Sequence, residues 1–84
     1  MFYKIRTDKK DELKNGRTIT YLAQICGCSR SMLSYAFNGS KIRQLSQELA
    51  LNIITEISKE SVSVKNKIDE LGIEGALDYY FEKI

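Results

Sequence analysis

Proline and histidine are both absent from the 84 residues, and each absence narrows what the chain can be. Without proline, no residue locks its own φ and withholds a backbone N–H from a helix. Turns then fall to the five glycines, at positions 16, 27, 39, 72 and 75. This pattern favours short helices punctuated by glycine over a disordered or β-rich chain. Without histidine and without a second cysteine pair, a tetrahedral zinc site lacks its ligands. No nucleophile has an evident base partner and no glycine-rich phosphate loop occurs, so neither catalysis nor a cofactor is expected. Long apolar runs are missing too, and Met1-Phe-Tyr-Lys4 has no signal-peptide core. No membrane contact and a cytoplasmic location are therefore expected.

The two cysteines, Cys26 and Cys28, are separated only by Gly27. Residues so close rarely present the opposed Cβ vectors of a disulfide, which leaves them as small hydrophobes of the core. Hydrophobic residues make up 43% of the chain, ordinary for one small folded domain spanning residues 1–84. The net charge of +2 conceals an asymmetry. Residues 1–43 hold nine Lys/Arg and three Asp/Glu, a net +6, whereas residues 44–84 hold four and eight, a net −4. One end of the molecule is suited to a polyanion; the plainer alternative is an unevenly charged solvated surface.

Periodicity predicts an all-α bundle of five or six short helices. Phe2–Arg6 fits either a short strand or a tethered arm. Thr7 or Asp8 is the candidate cap of a helix that runs to Asn15-Gly16. Thr18 then caps a helix whose Ile19, Leu22, Ala23 and Cys26 share one face, with Gly27 at its left-handed end. Ser29 caps the next helix, with Leu33, Ala36 and Phe37 inward and Asn38-Gly39 as its stop. From Ser40 a longer helix is predicted, with Ile42, Leu45, Leu49, Ile53 and Ile57 along one side, widened by Leu51 and Ile54. After the polar break Ser58–Ser61, Val62, Val64, Ile68 and Leu71 give a weaker helix ending at Gly72. The final helix carries Ile73, Ala76, Leu77, Tyr80, Phe81 and Ile84 as one stripe beside Glu74, Asp78 and Glu82. No linker or repeat divides the chain.

The stretch Thr18–Asn38 carries the functional signal. Two short helices meeting across a tight turn need a small residue at closest approach, here Ala23. They also need a residue free of β-carbon strain four positions later, here Gly27. Leu22-Ala23, Gly27-Cys28-Ser29, Leu33-Ser34 and Phe37-Asn38-Gly39-Ser40 together resemble the lambda-repressor-like helix-turn-helix superfamily. The arrangement is similar to that of Cro/C1-type phage repressors. It is less like the DNA-binding heads of lactose-repressor-type regulators, which begin their motif nearer the N-terminus. The similarity covers residues 18–40 and, with the helix that follows, extends to residue 57. It implies a repressor of phage or mobile-element type that binds double-stranded DNA by inserting the helix at 29–38 into the major groove.

The resemblance and the helical phase together imply which side chains meet DNA. Arg30, Ser31 and Tyr35 fall at base-reading positions, and Arg30 suits bidentate contact with guanine. Arg30 as a phosphate clamp or plain surface residue, and Tyr35 packed at the helix edge, stay open alternatives. Thr18, Ser34, Asn38, Lys41 and Arg43 fall where phosphate contacts are implied. Ile19 departs from the family, many of whose members carry glutamine there to bridge phosphate and a base-contacting neighbour. One motif buries little surface, so a homodimer is expected, with Ile73, Leu77, Tyr80, Phe81 and Ile84 of the 62–84 region as its interface. The same stripe serves equally as the domain's own core. The rival function is a small phage-type protein that keeps this fold but binds and inhibits another regulatory protein, as an antirepressor or host-defence inhibitor.

Overall fold

A computed structural model describes residues 2–38 and 45–84. The described elements run β1 (Phe2–Ile5), α1 (Lys10–Lys14), α2 (Ile19–Cys26), α3 (Arg30–Asn38), β2 (Leu45–Ser46), α4 (Gln47–Ser58), α5 (Val62–Tyr80) and β3 (Phe81–Lys83). The protein is mostly helical, but the all-α expectation is corrected by a three-stranded antiparallel sheet of order β2-β1-β3. Of the two options open for the N-terminal segment, it takes the strand. Tyr3 faces Leu45 on one side and Lys83 on the other, and Ile5 faces Phe81.

The sheet explains why two predicted helices are shorter than their periodicity suggests. An isolated β1 would leave its N–H and C=O groups without sheet partners. Leu45-Ser46 and Phe81–Lys83 supply those partners, so both segments are extended. The long helix therefore begins at Gln47, with the Ser46 hydroxyl accepting from the Leu49 N–H at 3.1 Å. Ser40 and Ile42, its predicted beginning, lie outside the described residues. The last helix ends at Tyr80 rather than running through Ile84. Arg6 N–H donates to the Tyr80 carbonyl (2.8 Å) and Ile84 N–H to the Phe2 carbonyl (3.0 Å), fixing both ends of the β1–β3 pair.

Local signals set the remaining boundaries. Asn15 and Gly16 both take positive φ, 53° and 72°, and stop α1. Its cap is Lys9, without a side-chain bond, rather than Thr7 or Asp8, because the Lys9 N–H closes a turn onto the Arg6 carbonyl leaving the strand. Thr18 caps α2 by accepting from the Tyr21 N–H (3.1 Å), and Ser29 accepts from the Met32 N–H (3.1 Å) at the start of α3. Gly27, at φ 67°, ends α2, and the Cys28 N–H reaches back to the Ala23 carbonyl at 3.1 Å. That six-to-one bond closes the helix end in a geometry only glycine adopts without strain. Ser61 caps α5, which is kinked at Gly72 (φ 79°). The weak helix before that kink buries Val64 but leaves Val62 and Leu71 exposed.

A single core joins sheet and helices. Tyr3, Ile5, Leu45 and Phe81 contribute from the strands; Leu13, Leu22, Leu33, Ile53, Ile54 and Tyr80 fill it from the helices. Cys26 belongs to the core and Cys28 packs half-buried against it.

Candidate nucleic-acid interface

The two faces of α3 differ sharply. Leu33, Ala36 and Phe37 are buried against the core, which turns Arg30, Ser31, Tyr35 and Asn38 outward, with Ser34 half-buried beside them. Arg30, Ser34 and Asn38 follow one another at four-residue steps, and Ser31 and Tyr35 form the adjacent row. Tyr35 is 42% exposed, so part of its side chain is covered and part faces outward. Asn38 Nδ2 donates to Ser34 Oγ (3.1 Å), an acceptor role that leaves the hydroxyl proton of Ser34 for an outside acceptor. Thr18 is exposed and its hydroxyl is likewise an acceptor, in the cap of α2. Lys41 and Arg43, the other expected phosphate contacts, lie outside the described residues.

Thr20 and Tyr21 were not singled out by sequence, and both prove to organise this surface. Arg30 Nε donates to Thr20 Oγ1 at 2.9 Å, linking the first residue of α3 to the second of α2. Tyr21 Oη donates to the Glu60 carboxylate at 2.5 Å, which raises its pKa, and the Arg17 guanidinium lies 5.4 Å from the Tyr21 ring centroid. The far end of α2 is held as well, since Asn52 Nδ2 donates to the Cys26 carbonyl at 2.8 Å. Helix α2 is thus tied at both ends to the scaffold, and through Thr20 to the exposed edge of α3.

The chain segment that forms these helices carries charge of one sign, although the Glu60 carboxylate reaches Tyr21 from beyond α4. Between Glu12 and Glu48 the sequence holds no Asp or Glu, while it holds Lys14, Arg17, Arg30, Lys41 and Arg43. No acidic side chain of α2, α3 or the turn between them therefore opposes an approaching anion.

The cysteines next to this surface are chemically quiet. Burial pushes the Cys26 thiol up to about 12 and raises that of Cys28, so neither is an available thiolate near neutral pH. A second polar cluster lies away from α3, on α1 and α5. There the Tyr79 and Tyr80 hydroxyls each approach the Glu12 carboxylate at 3.4 Å, and Lys9 Nζ donates to the Tyr79 hydroxyl at 3.0 Å. These contacts pin the short α1 to α5.

The expected dimer stripe does not form one surface. Leu77, Tyr80 and Phe81 are 3%, 0% and 0% exposed within the single chain, because β3 turns Phe81 inward beside Ile5. Only Ile73 and Ile84 of that stripe are exposed, the latter beside the exposed Phe2. No helix among the described residues is long and apolar enough to cross a membrane. No protein-family model, curated protein or solved structure matches the chain.

Proposed function

We propose that the protein is a sequence-specific double-stranded-DNA-binding regulator that works in the cytoplasm and acts by binding rather than catalysis. Helices α2 and α3 act as a helix-turn-helix, with α3 entering the major groove. The observation that carries this reading is the outward face of α3. It offers a cation, hydroxyls, an amide and a tyrosine, in a stretch from Leu13 to Gln47 without a single carboxylate. Hydrogen-bonding groups of this kind match base edges and phosphates, and the missing negative charge removes the repulsion that a DNA backbone would meet. Arg30, Ser31 and Tyr35 read bases; Thr18, Ser34 and Asn38 contact phosphates, joined by Lys41 and Arg43. Two copies on one operator place their α3 helices one turn of DNA apart, about 34 Å. With Leu77, Tyr80 and Phe81 committed to the core, such a dimer draws on Ile73, Ile84 and Phe2 instead.

Selection from a random duplex library, followed by fluorescence anisotropy on the winning sequence, tests the reading. A defined motif should emerge, and Arg30→Ala should weaken binding to it by about 1–3 kcal/mol while sparing binding to unrelated duplex. A chain that enriches no sequence and binds duplex no better than heparin contradicts it. That result would turn attention to the rival in which the fold grips another protein.

A further inference from the structure

The hydrogen bond between Thr20 and Arg30 has no part in holding the core, since both residues are exposed and neither belongs to the buried cluster. We propose that Thr20 is a positioning residue. Its hydroxyl holds the Arg30 guanidinium by Nε, so that both terminal nitrogens point outward as a preset fork for one guanine. The inference rests on the DNA-binding reading of α3 and deepens it by assigning the device that aims its first side chain.

Arginine carries five N–H donors in one rigid plane, and the Thr20 hydroxyl occupies the one at Nε. The four that remain lie on the two Nη atoms, the end of the fork that matches the O6 and N7 acceptors of guanine. Fixing Nε fixes the plane, so the pair is left to rotate far less than a free arginine, whose rotamer entropy is large. Threonine suits the task because branching at Cβ leaves its hydroxyl few orientations. Thr20 itself sits on α2, which is tied down by the Tyr21–Glu60 and Asn52–Cys26 bonds, so the anchor does not move with α3 alone. Ile19, next to Thr20, is half-buried against the core, which leaves Thr20 as the outward side chain at this end of α2.

The full chain carrying Thr20→Ala, Thr20→Ser, Arg30→Ala or both alanines tests this on two readouts. In the free protein, NMR should find the Arg30 Nε–H protected from solvent exchange. The protection should vanish in Thr20→Ala and persist in Thr20→Ser, with unchanged helical circular dichroism in all. On the selected duplex, Thr20→Ala should reduce discrimination against replacement of the guanine read by Arg30 by roughly three- to tenfold. That is the cost of ordering one long side chain on binding. Thr20→Ser should restore it, the salt dependence should not change, and adding Thr20→Ala to Arg30→Ala should have no effect. An unprotected Nε–H, undiminished discrimination in Thr20→Ala, or losses that add in the double variant would each overturn the positioning role. A protein that selects no duplex overturns the DNA-binding reading, and this inference with it, whatever the NMR result. A selected duplex that Arg30→Ala binds unchanged overturns the reading role of α3 as well, whereas one that Arg30→Ala weakens and Thr20→Ala leaves fully discriminated overturns the positioning role alone.

Discussion

The α2–α3 pair and the α5–β3 segment use their residues in opposite ways. In the first, the apolar residues make one narrow inward face, and the polar residues opposite, Arg30, Ser31, Tyr35 and Asn38, are left to solvent. In the second, the large side chains near the end, Leu77, Tyr80 and Phe81, are all consumed by the core, while Val62, Leu71, Ile73 and the following Ile84 stay exposed. One region thus has surface to spend on a partner, while the other mainly holds the domain together. A substitution should betray the difference at once, through folding in one region and through binding in the other.

The largest effect belongs to the C-terminal segment. Phe81→Ala removes a fully buried ring that joins β3 to the core, and urea unfolding should show a loss of about 3–5 kcal/mol. In a domain whose whole stability is on the order of 5–10 kcal/mol, that leaves a partly unfolded population. For the same reason, cutting the chain after Gly72 removes Ala76, Leu77, Tyr80 and Phe81 from the core and should abolish folding. A truncated chain that folds normally would break the contrast between the two regions.

Alkaline titration sharpens the contrast. Burial, with the Glu12 charge adding to it, pushes the Tyr80 hydroxyl from 10 up to about 12, so the folded state favours the neutral phenol. That contribution is intact below pH 10 and is lost as pH rises through 12, because the unfolded chain releases its proton first. Cys26, raised by burial from 9 to about 12, acts in the same direction from pH 9 upward. Urea midpoints should therefore fall across pH 9–12, and Tyr80→Phe should fall less steeply than the parent. Equal slopes would mean that Tyr80 does not titrate in the folded core.

Smaller still are the caps of the α2–α3 pair. Thr18→Ala and Ser29→Ala each remove one side-chain bond to a helix N-terminus, and each should cost about 1 kcal/mol of stability. Ser31→Ala, on the exposed face of α3, should change stability by less than about 0.5 kcal/mol while altering DNA binding. A large stability loss at Ser31 would show that this face is structural after all.

The same two regions differed in how openly the sequence declared them. Thr18, Gly27 and Ser29 act within a turn of their own helix, so their caps and left-handed backbone are visible from spacing alone. The C-terminal stripe misled because its period of 3.6 continues past Tyr80. Phe81 sits at a helical inward position and also faces inward as a strand residue opposite Ile5, so its burial was legible although its conformation was not. Strands of two and three residues carry no alternation of their own. Leu45 and Phe81 are extended because Tyr3 and Ile5, far away in sequence, pair with them. Thr20 was missed for a different reason: a polar residue on an exposed face leaves no trace in a hydrophobic pattern. Only the fold shows that its hydroxyl meets Arg30.

Binding of the intact chain to duplexes chosen from a random library, measured against Arg30→Ala across a salt series, tests the central claim most directly. The account predicts a defined motif containing a guanine whose replacement costs the parent about 1–3 kcal/mol and costs Arg30→Ala nothing further. Log affinity should also fall linearly with log salt in both proteins. No enriched motif, or an Arg30→Ala chain that retains the parent's full preference at every base, would contradict the assignment of α3 as the surface that reads DNA.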